Sequence, residues 1–129
     1  MKIIKDYPPN IEDIRAVLNP PFNTVFTYGN NIYNPNINQE LPSDLIAHER
    51  VHILQQEGKP AAWWDKYLKD KNFRFAEELM AYKVQWKVIK SKYPYEIAFH
   101  LLHGIVSDLS GEMYGNIVDY TLARDMIKQ

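Results

Sequence analysis

Phe75, Leu79, Tyr82, Trp86 and Ile89 follow one another at steps of four, three, four and three. That spacing lines five bulky side chains along one stripe of an α-helix. It predicts a helix from Asn72, its expected cap, to about Lys90. A second and less bulky stripe, Ala81, Val84 and Val88, lies in line with Glu77. A helix apolar on two sides is expected to be sandwiched in the interior. Glu78 falls at the edge of the first stripe, one turn before Tyr82.

Turn and cap residues predict the other elements. Pro8-Pro9-Asn10 ends the opening stretch, and Asn10 is placed to cap a short helix over residues 11 to about 18, which Asn19-Pro20-Pro21 closes. Residues 24–28 and 32–33 are aromatic and β-branched, and they flank Gly29-Asn30-Asn31, the pattern of a β-hairpin. Residues 34–39 read as loop. Pro42-Ser43-Asp44 opens a helix, with Ser43 as its cap and Asp44 set against the N-terminal dipole. This helix runs to about residue 57, where Gly58 and Pro60 stop it. Further helices are expected over residues 61–69, 96–109 and 115–128. The predicted fold is α+β and mostly helical, one domain over residues 1–129, with a small hairpin packed on a pair of helices.

Composition narrows what such a domain does. The chain has 129 residues, of which 46% are hydrophobic and 13% aromatic, enough to bury a real core. Fifteen basic residues balance sixteen acidic ones, for a net charge of −1. No basic footprint for nucleic acid or for an anionic membrane follows from that balance. Lys83, Lys87 and Lys90 share one helix face, which reads as a solubilising surface, and Trp63 and Trp64 read as core. Residues 1–6 carry two apolar residues, Ile3 and Ile4, where a signal peptide needs about seven, and no apolar run reaches membrane-spanning length. The expected location is the cytoplasm. Cysteine is absent, which excludes disulfides, iron–sulfur clusters and thiolate zinc sites, so any metal must be held by His and carboxylates.

His48-Glu49-Arg50-Val51-His52 is such a site in outline. Positions four apart share a helix face, so both imidazoles reach one zinc ion while Glu49 reaches a water beside it. Arg50 lies on the opposite side and reads as structural. A catalytic zinc needs a third protein ligand and an open position. Four side chains are candidates: Glu77, Glu78, His100 and His103. One known extension, a His six residues after the second ligand with Gly at the third, is absent, since those positions are Gly58 and Gln55. Helix geometry leaves Glu77 and Glu78 both open. At least one of His100 and His103, three apart, reads as an ordinary helix-packing residue.

Residues 43–82 resemble the gluzincin branch of zinc metallopeptidases, in which the H-E-x-x-H helix is followed by a second helix carrying E-x-x-A. The resemblance implies Glu78, three before Ala81, as the third ligand. Many members carry Asp after that Ala, where this chain has Tyr82. His52-Ile53-Leu54-Gln55-Gln56 also looks like small bacterial and phage zincins. The segment around Tyr114-Gly115-Asn116 resembles a short element near the end of some of them. The implied activity is zinc-dependent hydrolysis of a peptide or protein substrate. Glu49 serves as general base, and Tyr114, presented by the turn between Gly111 and Gly115, donates to the oxyanion, with His103 as the alternative donor. Tyr114 packed between helices is the competing reading. The edge of the hairpin could offer a strand for an extended substrate to pair with, though simple closure of the sheet over the helices is the first reading of it. Two rival readings remain at this level: a metal-stabilised binding module without catalysis, and a metal-free helical domain with a coincidental pentad.

Overall fold

The structure is a computed structural model that describes residues 1–36 and 38–129. Its elements run β1 (Lys2–Ile4), α1 (Ile11–Leu18), β2 (Phe26–Tyr28), β3 (Asn31–Tyr33), α2 (Ser43–Gln56), α3 (Pro60–Lys69), α4 (Lys71–Lys92) and α5 (Tyr95–Leu109). A 3₁₀ turn (Glu112–Tyr114) and α6 (Tyr120–Lys128) follow. This is the expected mostly helical α+β class. Among the described residues no helix is long and apolar enough to cross a membrane.

The long helix α4 is the axis of the fold and packs against α2, α3, α5, α6 and the 3₁₀ turn. Its first stripe is interior as predicted: Phe75, Tyr82, Trp86 and Ile89 are buried, with Leu79 packed beside them. The second stripe is only half interior. Ala81 is fully buried, but Val84 reaches the surface. Trp63 and Trp64 are core residues, meeting edge to face with ring centroids 5.2 Å apart.

Several helix ends differ from expectation. Ser43 is the first helical residue rather than the cap, and its hydroxyl accepts from the Lys92 ammonium at 2.7 Å. Asp70, not Asn72, caps α4, accepting from the backbone N–H of Asn72 and Phe73. A carboxylate is the stronger acceptor at a helix N-terminus, so it wins over an amide two residues on. Asn10 precedes α1 without a side-chain capping bond. Helix α3 starts one residue earlier than expected, with Pro60 in its first turn, where proline costs no hydrogen bond. The last helix starts at Tyr120, capped by Asp119, because residues 112–114 turn as 3₁₀ and Gly115 takes a left-handed φ of 89°.

The hairpin forms where expected, as an antiparallel pair with Phe26 opposite Tyr33 and Tyr28 opposite Asn31. A third strand, β1, was not expected. It joins β3 in parallel, giving the order β1-β3-β2. Three residues, paired with a strand about thirty positions downstream, carry no local periodicity to read. The predicted loop over residues 34–39 is irregular wherever it is described, and Ile37 lies outside the described residues.

The turn leaves two residues between Tyr28 and Asn31, so those two exchange hydrogen bonds and Thr27 points its own backbone groups outward. Two side chains meet that outer edge. Gln56 Nε2 and Trp64 Nε1 each donate to the Thr27 carbonyl at 2.9 Å. Gln56 Oε1 in turn accepts from the Gly29 N–H at 2.7 Å. Gln56 is 2% exposed, and it bolts the hairpin to the C-terminal end of α2. Replacing Gln56→Ala removes the partner of a turn N–H and a buried amide's packing. The expected loss is about 2–3 kcal/mol in urea-induced unfolding; a change below about 0.5 kcal/mol would show that this bolt does not hold the hairpin.

Candidate metal centre

Helices α2 and α4 lie against each other with His48, Glu49, His52 and Glu78 on their facing sides, each 4–5% exposed. His48 Nε2 lies 3.0 Å and His52 Nε2 3.2 Å from the same oxygen, Glu78 Oε1. Three ligands around a tetrahedral zinc, with bonds near 2.0–2.1 Å, stand about 3.3 Å from one another. Two of the three donor separations are therefore close to the edge of a zinc coordination tetrahedron, and all three donor atoms lie within 4.8 Å of one another. Among the described residues, His48, His52 and Glu78 are the group of His and carboxylate ligands close enough to share an ion.

The surroundings suit that role. His52 Nδ1–H donates to Gln55 Oε1 at 2.7 Å, and Gln55 is itself held by its Nε2 donating to the Glu77 carbonyl at 3.0 Å. A donating Nδ1 fixes the tautomer whose Nε2 carries the lone pair a metal needs. The other oxygen of Glu78 accepts from the Tyr67 hydroxyl at 2.5 Å. Burial, with Glu78 alongside, pushes the Tyr67 phenol well above its usual range, so it stays a neutral donor. A cavity of about 30 Å³ adjoins these groups, lined by His48, Glu49, His52, Tyr67, Glu78 and Tyr114 among others. That is room for a small cation with a water, but not for a side chain.

One atom lacks a partner. His48 Nδ1 is buried and finds none among the described residues. Tyr82 packs its ring edge to face on His48 with centroids 4.5 Å apart, and its hydroxyl turns to Tyr114. Leaving a buried polar atom unpaired costs about 1–3 kcal/mol.

Glu49 is not part of the triad. Its Oε2 lies 3.6 Å from His48 Nε2, and its Oε1 accepts from the Thr27 hydroxyl at 3.2 Å. Burial raises its carboxyl above the ordinary value, against the pull of the two histidines. Tyr114 is 6% exposed and accepts from the Tyr82 hydroxyl over a long 3.4 Å, leaving its own proton free to point elsewhere. It borders both the small cavity and an open groove of about 380 Å³ that leads to His48 and Glu49. The other candidates stand apart. Glu77 accepts from the Trp63 indole N–H at 2.8 Å. His100 is exposed, and His103 pairs with the Tyr120 hydroxyl at 2.8 Å on the outer face of α5. Arg50 is exposed on the far side of α2.

Sequence reasoning passed over Gln55, Tyr67 and Thr27. Gln55 carried a signal, lying three residues after His52 and hence on its face. Tyr67 and Thr27 reach the site only through tertiary packing. The substrate-pairing edge expected along the hairpin is shortened: from Thr27 onward Gln56 and Trp64 occupy it, and the stretch before it, Thr24 and Val25, faces both cavity and groove.

In comparisons with known protein families, curated proteins and solved structures, nothing matches this chain.

Two predictions follow from the geometry. Zinc affinity, measured by competition with a chelating dye, should fall most for Glu78→Ala. For Gln55→Ala the loss should be roughly 10- to 100-fold, and Glu77→Ala should leave it nearly unchanged; a Glu77 effect exceeding that of Glu78 would reassign the carboxylate. The second prediction concerns pH. Burial disfavours a charged His52, but Glu78 outweighs it and holds the imidazolium up to about 9, above its ordinary 6.5. A raised folded-state pKa stabilises the metal-free protein below about 6.5, and this is lost as pH rises through about 9. Zinc must displace that proton. The Tm difference between zinc-loaded and metal-free protein should therefore widen from pH 6.5 to pH 9; a constant difference would mean that His52 is neutral without metal.

Proposed function

We propose that this protein is a small zinc-dependent hydrolase of peptide bonds, similar in plan to the gluzincins. The observation that carries the reading is the meeting of two imidazole Nε2 atoms on one oxygen of Glu78, with Glu49 beside them but outside the triad. A structural cluster has no need of a second buried carboxylate beside the triad. Catalysis by metal-activated water does.

His48, His52 and Glu78 are the residues that would hold zinc, which when bound polarises a carbonyl and makes water a nucleophile near neutral pH. The remaining work belongs to the chain's own side chains. Glu49, with its carboxyl raised by burial, takes a proton from the attacking water and passes it to the departing amine. Tyr114, kept neutral by burial and by Glu78, donates to the oxygen on which negative charge develops. The substrate lies in the groove lined by Val25, Leu45, Ile105, Met113 and Tyr114 among others. At about 380 Å³ the groove suits a short extended segment of a peptide or protein rather than a folded surface.

The rival reading, a metal-stabilised binding module, draws on the near-complete burial of the ligands, since a metal that only joins α2 to α4 needs no access. Glu49→Gln separates the two. On a broad peptide library, the substituted protein should keep its zinc and lose hydrolysis by roughly 10²- to 10⁴-fold. Equal behaviour of both proteins would favour the binding module.

A further inference from the structure

The geometry points to Thr27 as a positioning residue for Glu49. Its hydroxyl engages one carboxylate oxygen so that the other is turned toward the metal cavity. The inference rests on the hydrolase reading in one respect, that Glu49 is the base.

Thr27 sits at the middle rung of β2, 2% exposed, twenty-two residues before Glu49. Its Oγ1 lies 3.2 Å from Glu49 Oε1 and 3.3 Å from the Glu49 main-chain carbonyl oxygen. A hydroxyl has one proton to give, and an ionised carboxylate is the stronger acceptor, so the carboxylate takes it. With Oε1 engaged, Oε2 is left facing His48 Nε2 at 3.6 Å, on the side where the donor atoms of the triad meet. A base must hold its lone pair at hydrogen-bond distance from the proton it removes, and a free carboxylate turning about three side-chain torsions does not hold such an aim by itself.

The hydroxyl can position Glu49 only because Thr27 is itself immobilised. Its carbonyl accepts from both Gln56 and Trp64, tying the residue to α2 and α3, while Phe26 beside it packs on Trp64 with centroids 5.9 Å apart. The second acceptor has a use as well. Once Glu49 carries the water's proton it is a weaker acceptor, and the Thr27 proton can turn to the Glu49 carbonyl without going unpaired. The hydroxyl is thus satisfied before and after proton transfer, and no bond is made or broken at Thr27.

Thr27→Val keeps shape and burial and removes the hydroxyl, and Thr27→Ser restores it. The valine variant should bind zinc within about 2-fold of the parent and show an unchanged KM. Its kcat should drop by about 10- to 100-fold, part of what a positioned base contributes. The serine variant should recover most of that loss, and Thr27→Val added to Glu49→Gln should cost nothing further. A parental kcat in the valine variant, an equally poor serine variant, or additive losses would overturn the inference. Crystal structures of the zinc-loaded parent and valine proteins give a readout independent of turnover. Glu49 should hold one rotamer in the parent and leave it, or split, in the valine variant. If the parent hydrolyses nothing while Glu49 still loses its rotamer, the hydrolase reading fails and the positioning role stands; an unmoved Glu49 sinks the positioning role whatever the activity.

Discussion

A carboxylate taken out of water between helices costs several kcal/mol unless charge and hydrogen bonds answer it, and Glu78 is answered on every side. Two imidazoles meet its Oε1 and a phenol meets its Oε2. These contacts join α2 to α4 and α3 to α4, so the three helices share one polar centre inside an aromatic core. Trp63 stacks on Tyr67, Tyr82 packs on His48, and Trp63 also lies against His52 with centroids 5.4 Å apart. Apolar walls around the triad lower the local dielectric, which strengthens each of these bonds and raises the penalty for losing any of them.

The same centre explains why His52 is held charged in the absence of a cation. It has an acceptor at each nitrogen, Gln55 at Nδ1 and Glu78 at Nε2, an arrangement that suits an imidazolium. A divalent ion would take over the second role, exchanging one positive partner of Glu78 for another with little rearrangement of side chains. His48 differs. Its Nδ1 has no partner among the described residues, and the Tyr82 ring packs on it. The two histidines of one motif thus have unequal support, and the weaker side is the one next to the groove.

The small sheet serves the site more than the core. β1 and β3 brace β2, and β2 with its following turn presents polar groups to α2 and α3: the Thr27 hydroxyl and carbonyl from the strand and the Gly29 N–H from the turn. By spending its outer edge on Gln56 and Trp64, the hairpin gains a fixed position over Glu49.

Local chemistry was enough to read the helices, the hairpin and the pentad. Periodicity, prolines and glycines act over a few residues, and His48, Glu49 and His52 share a face by helical geometry alone. The stripe of α4 likewise put Phe75, Tyr82, Trp86 and Ile89 inside. Stripe geometry stopped short at Glu77 and Glu78, which are adjacent on a helix with apolar flanks on both sides. The packing of α2 and α3 on α4 separated them, Trp63 engaging Glu77 while Tyr67 and the histidines engage Glu78. The parallel strand β1, the Asp70 cap, the bolt through Gln56 and the reach of Thr27 to Glu49 were equally out of view. Each joins a residue to a partner chosen by the folded shape or by competition among nearby caps, and no spacing along the chain encodes which of several suitable groups will arrive first.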